Sequence, residues 1–166
     1  MNKVHNWHQL YPDSVPHEID PNAYGSLNDL FAQAVATHGN RPAFGNFGCF
    51  LSYSETAKLA QSFAHYLVTQ CGIERGDRVA IMLPNILAYP VVMLGGLLAG
   101  ATIVNINPQY TSRELEHQLS DSGAKVLVVL RHLLAATNEV IRSSSVETVI
   151  YAEVGDLLKP IKKTAN

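Results

Sequence analysis

One long uncharged stretch interrupts the mixed apolar and polar pattern of the chain. It runs from Val79 to Ser112 and contains no Asp, Glu, Lys, Arg or His. Its hydropathy raises the alternative of a membrane span, which needs about 20 consecutive apolar residues. Pro84, Asn85 and Pro90 break the apolar run near its start, and an Asn-x-Asn-Pro sequence closes it. We therefore interpret the stretch as a strand–helix–strand unit buried inside a water-soluble protein.

Four apolar segments predict the strands of a single sheet. Strands that are buried on both faces show such continuous apolar runs, as in parallel sheets. Helical segments separate the four runs, and this alternation predicts an α/β fold with a mostly parallel, doubly wound sheet flanked by helices. The predicted strands are Arg78–Leu83, Ala101–Ile106, Lys125–Leu130 and Glu147–Ala152.

Helices are predicted from apolar residues at helical spacing and from their end signals. Ser26 with Asp29 resembles a capped helix start, and Asn85 is a candidate cap for the helix of the uncharged stretch. Ser52–Glu55 and Thr111–Glu114 match the S/T-x-x-E capping box. Three predicted helices between and after the core strands are Ile86–Ala99, Arg113–Asp121 and Leu133–Ile141, and Gly72, Gly100 and Gly123 are predicted helix ends.

The chain divides into three predicted parts. Residues 1–23 contain three prolines and are predicted to be extended. Residues 24–158 form the partial α/β domain, which includes a predicted hairpin around Gly48. Residues 159–166 form a basic, loop-like tail that carries Lys159, Lys162 and Lys163. The amino-terminal segment lacks the apolar core of a secretory signal.

Composition narrows the possible partners. Of the 166 residues, 16% are charged, against about 25% in average proteins, which indicates a large interior. The net charge of −2 provides no basic footprint, so we expect no nucleic-acid partner. Cys49 and Cys71 lie far apart without a CxxC pair, which favours a reducing compartment over a disulfide framework or a zinc site. His5 and His8 have metal-compatible spacing, but without acidic or cysteine partners we interpret them as solvated.

The usual motifs of nucleotide and hydrolase sites are absent from the sequence. It contains no GxGxxG, no GxxxxGK[ST] and no GxSxG. We interpret Gly95–Gly96, with Gly100, as a site of close helix packing. The tripeptide Arg75–Asp77 reads as a turn and not as an adhesion signal. Glu116 and His117 are adjacent, so they point to different faces of a helix and make a poor acid–base pair, while His65 is interpreted as a boundary residue.

The loop Asn105–Tyr110 is the best local candidate for a functional site. It follows the carboxyl end of a predicted core strand, where open α/β sheets bind their ligands. The alternative is that Asn and Pro only shape a turn before the next capped helix. On residue chemistry alone, the chain is an α/β domain without a complete active site.

Longer stretches resemble a known family. "GDRVAIMLPN" and "YPVVMLGGLLAGATIVNINPQYTSRELEHQLSDSGAKVLVV" are similar to a diagnostic run of the adenylate-forming enzyme superfamily, and "LSYSETAKLAQSFAHYL" resembles an earlier helix of the same enzymes. The segment Trp7–Phe31 resembles the bacterial long-chain fatty-acid–CoA ligases. The resemblance extends from about Trp7 to Asp156.

The resemblance implies a two-step reaction. A fatty carboxylate attacks ATP to give an acyl-adenylate and pyrophosphate, with Mg²⁺ offsetting phosphate charge, and the thiol of CoA then displaces AMP. It also implies an incomplete N-terminal part of the large domain of these enzymes. The phosphate loop, the adenine and ribose motifs and the catalytic lysine of the family are absent from this sequence, so no catalytic, cofactor-binding or metal-binding residue is assigned.

These absences lead to expectations about the isolated chain. We expect a ligase fragment without activity of its own, which binds no ATP, CoA or Mg²⁺. The alternative is a free-standing acyl-binding or CoA-binding module, while a dinucleotide-dependent oxidoreductase is disfavoured by the missing glycine fingerprint. Apolar surface left uncovered predicts self-association or a domain-swapped dimer. The expected location is cytoplasmic, with peripheral contact at the inner membrane aided by the three tail lysines.

Overall fold

The computed structural model describes residues 6–158. Its helices are α1 (Leu27–His38), α2 (Tyr53–Thr69), α3 (Ala88–Leu98), α4 (Ser112–Ser122) and α5 (Leu134–Arg142). Its strands are β1 (Pro42–Asn46), β2 (Cys49–Ser52), β3 (Arg78–Met82), β4 (Thr102–Asn105), β5 (Val126–Leu130) and β6 (Thr148–Ala152). Two short 3-10 helices occupy Asn6–Leu10 and Arg131–Leu133.

Four of the strands form one parallel sheet in the order β4-β3-β5-β6. Val79 of β3 is in register with Ile103 of β4 and with Val126 of β5, and Val126 is in register with Thr148 of β6. The central strands β3 and β5 are buried over almost their whole length, as their continuous apolar sequences predict. The predicted parallel sheet and its four strands are confirmed.

Helices cover both faces of this sheet. Val79 and Ile81 point to one face, where they belong to an apolar cluster with Leu67 of α2 and Val92 of α3. The intervening residues of β3 and β5 point to the other face and form a second cluster with Leu115 and other residues of α4 and α5. Since side chains alternate along a strand, this division follows directly from the pleat. The doubly wound arrangement is confirmed.

Glycines allow α3 to approach its neighbours closely. A Cβ atom on Gly95 would lie 2.8 Å from the carbonyl oxygen of Ala60 in α2, and one on Gly96 would lie 2.5 Å from Cδ1 of Ile103 in β4. The interpretation of this glycine pair as a packing device is therefore confirmed. Gly100, with a φ of 81°, follows the end of α3 in the left-handed region as predicted.

The predicted hairpin and both predicted capping boxes are present. β1 and β2 form an antiparallel pair with Asn46 opposite Cys49. Both capping boxes are complete, since the Ser52 and Thr111 side chains accept from the backbone N–H groups of Glu55 and Glu114, whose carboxylates accept in return.

Two local predictions are wrong. Asn85 does not cap α3, because the chain first makes a turn from Pro84 and the helix starts later, after Leu87, which makes no side-chain cap bond. The described part of the amino-terminal segment is not fully extended, because Asn6–Leu10 forms a 3-10 helix. Pro12 follows this helix, and a proline has no N–H with which to continue it. The predicted domain boundaries stay predictions, and His5 and the three tail lysines lie outside the described residues.

None of the helices within residues 6–158 combines the length and the apolar character needed to cross a membrane. α3 is the most apolar of them, but it has 11 residues, whereas a span takes about 20. The uncharged stretch is therefore the β3–α3–β4 unit predicted from the sequence.

Candidate functional site at the carboxyl edge of the sheet

The order of the strands creates a switch point between β3 and β5. The chain leaves β3 through α3 on one face of the sheet and leaves β5 through α5 on the other face. Neighbouring parallel strands whose connections diverge in this way leave a crevice outside their carboxyl ends, where open α/β sheets bind ligands. The carboxyl edge of the sheet is therefore the candidate functional site.

The loop Asn105–Tyr110 lies at this edge and is held by bonds to α3 and β3 and by one bond within the loop. The Tyr89 hydroxyl of α3 donates to Oδ1 of Asn105 at 2.8 Å, and the N–H of Ile106 donates to the carbonyl of Ile81 at 2.9 Å. Asn107 shapes the rest of the loop, since its Oδ1 accepts from the N–H of Gln109 at 3.0 Å. The bond of Asn107 is the one expected for the turn alternative, and a ligand-binding role for the loop stays a prediction.

Helix α4 begins directly after this loop, and its first turn is electrostatically fixed. The backbone N–H of Thr111, and secondly its hydroxyl, donate to the Glu114 carboxylate and hold its pKa below the ordinary value. A carboxylate near a helix N-terminus is also favoured by the helix dipole. Glu114 therefore fixes the first turn of α4 and with it the end of the loop.

A second group of polar side chains lies at the same edge, after β5 and β6. Nε of Arg131 donates to Oε1 of Glu153 at 2.7 Å, and the guanidinium carbon lies 5.6 Å from the ring centroid of Tyr151. Arg131, His132 and Glu153 line a cavity of about 290 Å³. Both ion-pair partners are more than half exposed, so the pair itself contributes little stability.

Sequence reasoning missed this group because Arg131 and Glu153 are 22 residues apart. A signal was nevertheless available, since each residue directly follows a predicted strand. Carboxyl ends of neighbouring parallel strands meet at one edge of a sheet, so polar residues in that position are candidates for the same site.

The other polar candidates do not converge on this edge. Glu116 and His117 are both exposed on α4, and His65 is exposed on α2, beyond the boundary position predicted for it. Burial raises the pKa of the Cys71 thiol, with a hydrogen bond to Tyr66 offsetting part of the rise. Within residues 6–158, no three His, Cys, Asp or Glu residues come together in a way that could hold a metal ion.

The turn at Arg75–Asp77 lies at the opposite, amino-terminal edge of the sheet. The Asp77 carboxylate accepts from the N–H of Glu74 at 2.9 Å and from Nζ of Lys125 at 3.2 Å, and Lys125 also donates to the carbonyl of Gly72 at 2.8 Å. The tripeptide is therefore a structural turn in front of β3.

The sequence matches a family of known enzymes. A family model described as "AMP-binding enzyme" matches residues 31–165. The chain belongs to this AMP-binding enzyme family. Within the family it is 44% identical over 164 residues to the long-chain-fatty-acid–CoA ligase of Escherichia coli O6:H1, a match that covers 99% of this chain and 29% of the relative.

Other members of the AMP-binding family show the same relation. The Haemophilus influenzae long-chain-fatty-acid–CoA ligase is 41% identical over 99% of this chain and 29% of its own length. Among solved structures, a long-chain-fatty-acid-CoA ligase from Archaeoglobus fulgidus superposes with a TM-score of 0.69 and 29% identity, over 76% of this chain and 27% of that one. The predicted resemblance is confirmed, and the chain spans about 29% of the length of these curated relatives.

Proposed function

We propose that this chain provides the amino-terminal α/β portion of a long-chain fatty-acid–CoA ligase. The observation that supports the proposal is the 44% identity over 99% of the chain to such a ligase. In the proposed reaction, the fatty carboxylate attacks the α-phosphorus of ATP, and pyrophosphate leaves. The CoA sulfur then attacks the acyl carbon, and AMP leaves with the electron pair of the broken C–O bond. Mg²⁺ would balance the phosphate charge.

The role proposed for this chain is to build one parallel sheet with its carboxyl edge open to the substrates. The loop Asn105–Tyr110 and the pair Arg131–Glu153 lie at that edge, where sheets of this kind bind ligands. The family resemblance implies that the residues that hold a triphosphate lie in the part of the relatives that this chain does not match. We therefore propose that the 166-residue chain alone does not form acyl-CoA.

A chimaera tests the proposed role directly. The matching 164 residues of the Escherichia coli ligase are replaced by this chain, and thioester formation from palmitate, ATP and CoA is measured. We expect the chimaera to be active and the 166-residue chain alone to match the no-enzyme blank. The E. coli ligase without the matching 164 residues is expected to be inactive. A folded but inactive chimaera would contradict the proposed role, and thioester made by the chain alone would contradict the proposed inactivity.

We further propose a cytoplasmic enzyme that makes peripheral contact with the inner membrane through Lys159, Lys162 and Lys163. Basic residues near an anionic surface contribute roughly 1 kcal/mol each. Sedimentation with anionic vesicles, but not with neutral ones, is the expected result. Binding that persists after the three lysines are changed to glutamine would rule out this contact.

A further inference from the structure

The chain turns back over the sheet after its outer strand β6, which ends at Ala152. Beyond that strand, Leu157 and Leu158 pack against an apolar cluster that we call the anchor. The anchor consists of three buried residues of β2, of the β3–α3 connection and of α3, namely Leu51, Leu87 and Val91. We call residues 154–158 the strap, since they connect the outer strand to this cluster.

The strap passes the carboxyl end of β5. Strand β6 ends at the carboxyl edge, Leu87 lies just beyond the carboxyl end of β3, and β5 lies between these two strands. Neighbouring strands are about 4.8 Å apart, so the distance from β6 to β3 is about 10 Å. The chain from Ala152 to Leu157 reaches at most about 17 Å when fully extended. The route has little slack, and it lies across the switch point between β3 and β5.

The first part of the strap is fixed by hydrogen bonds. The N–H of Glu153 donates to Oδ2 of Asp156 at 2.8 Å, and the N–H of Asp156 donates to the carbonyl of Glu153 at 3.2 Å. Arg131 holds the Glu153 side chain through their ion pair. Val154 lines the same cavity as Arg131 and Glu153. The strap therefore starts over the polar group of the candidate site.

The far end of the strap is held to the anchor by apolar side chains. Leu157 and Leu158 are both half-buried, and the N–H of Leu158 donates to the carbonyl of Gly155, within the strap itself. Half-burying two leucine side chains favours the closed arrangement by roughly 10- to 100-fold. A preference of this size leaves the open arrangement populated at roughly 1–10%. One end of the strap is thus a hydrogen-bonded root and the other a contact that can be released.

We propose that the strap closes the candidate site and has to leave the anchor before a ligand enters. The inference rests on the proposed function, because it assigns a regulation to the same carboxyl edge. A ligand that binds only the open arrangement has its apparent affinity reduced in proportion to the open fraction. Contact between the strap and the anchor is therefore autoinhibitory, and its release increases the apparent affinity for the ligand.

The first test releases the strap in the chimaera with the Escherichia coli ligase. Leu157→Ser combined with Leu158→Ser removes the apolar contacts with the anchor. The KM of the substrate that enters beneath the strap is expected to fall about tenfold with kcat unchanged, and KM is measured separately for palmitate, ATP and CoA. Leu98→Ser is the matched control, since Leu98 is 43% exposed at the opposite end of α3, and it is expected to leave all three KM values unchanged.

The second test locks the strap in place. Cys49 of β2 packs against the anchor, as Leu157 does, so Leu157→Cys brings a second thiol to the same cluster. Oxidation with diamide is expected to join the two thiols and to lower thioester formation at least tenfold, with recovery after dithiothreitol. Leu59→Cys is the control, because Leu59 of α2 packs against the same anchor and its disulfide with Cys49 leaves the strap free. Mass spectrometry verifies each cross-link.

Full activity of the locked chimaera would overturn the proposal. So would failure of the disulfide to form, because the strap and Cys49 would then not share the anchor. KM values that are unchanged by the double serine variant, or changed equally by Leu98→Ser, would also contradict it. An inactive reduced chimaera would overturn the proposed function and this inference with it, whereas an active chimaera that is indifferent to the lock would overturn the strap alone.

Discussion

Phe47 adopts a backbone conformation that few side chains accept. Its φ is 48°, and that of the following Gly48 is 74°. Asn46 and Cys49 pair on either side of them, so these two residues form a two-residue hairpin turn with positive φ at both central positions. Such turns strongly favour Asn-Gly, because a short polar side chain tolerates this region at lower cost. Phe47 is also 73% exposed, so its ring gains little from packing.

We expect Phe47→Asn to stabilise the protein by about 1 kcal/mol, because the left-handed backbone costs most L-residues roughly 1–2 kcal/mol and Asn less. The measurement is the free energy of unfolding in urea. Phe50→Asn is the matched control, since Phe50 is 57% exposed on the adjacent strand, but its ring covers Gly45. The control is expected to destabilise. A loss of stability in Phe47→Asn would show that the exposed ring contributes more than the strain costs.

At the residue scale, the structural roles of glycines are easier to predict from the sequence than those of asparagines. Gly123 and Gly72 end their segments with φ values of 58° and 60°, as their positions after apolar stripes indicate. A left-handed backbone almost demands glycine, so the inference is direct. Asn85 has several possible partners. In the structure its backbone carbonyl accepts a hydrogen bond from the side-chain amide of Asn46 in the hairpin. Which partner an amide finds depends on tertiary structure that the local sequence does not contain.

At the element scale, Asp77 joins the turn before β3 to the start of β5. The N–H of Glu74, and secondly the Lys125 ammonium, hold the pKa of the Asp77 carboxyl below its ordinary value. The bond to Asp77 in turn raises the pKa of Lys125. The charged carboxylate is thus favoured in the folded state. Its contribution is present above the unfolded carboxyl pKa of about 3.9 and is lost as the pH falls through the lowered folded value.

We expect Asp77→Asn to destabilise the chain at pH 7 and to have a smaller effect near pH 3, a value on the acid side of the ordinary carboxyl pKa of about 3.9. Urea unfolding at the two pH values measures the difference. Lys125→Met is the companion variant. It is expected to reduce the pH dependence of stability less than Asp77→Asn does, because the N–H of Glu74 still donates to the Asp77 carboxylate. An Asp77→Asn effect of equal size at both pH values would mean that the side chain acts by shape and not by charge.

The helices and strands are largely predictable from the sequence, but which of them pair or pack together is not. The continuous apolar sequence of β5 indicates burial on both faces, and the polar residues Thr102 and Asn105 at the ends of β4 are typical of an edge. The spacing does not show that β5 pairs with β3. Similarly, the apolar sequence of α3 predicts a buried helix, but within residues 6–158 Met93 is only partly covered.

At the scale of the whole molecule, neither edge of the sheet is paired by another strand from residues 6–158. β4 and β6 are the outer strands, and Tyr151 of β6 is 46% exposed. Outer strands present unpaired N–H and C=O groups that can pair with another chain. In the much longer relatives, further chain is available to cover such surfaces.

We expect the 166-residue chain to form dimers or larger species at high concentration, as measured by light scattering. Ile150→Pro removes an N–H from the outer strand β6 and is expected to reduce the association. A monomer at all concentrations would contradict the self-association that the open edges predict.

The strand order also has a consequence for synthesis of the chain on the ribosome. β3 is made before any other strand of the parallel sheet, yet it occupies an inner position between β4 and β5. It can complete its pairing only when Val126–Leu130 has emerged, and chains fold as they are made, at roughly 5–20 residues per second. For several seconds, therefore, β3 and the apolar helix α3 lack the strand that covers one side of β3, and their apolar residues are accessible to a chaperone during this interval.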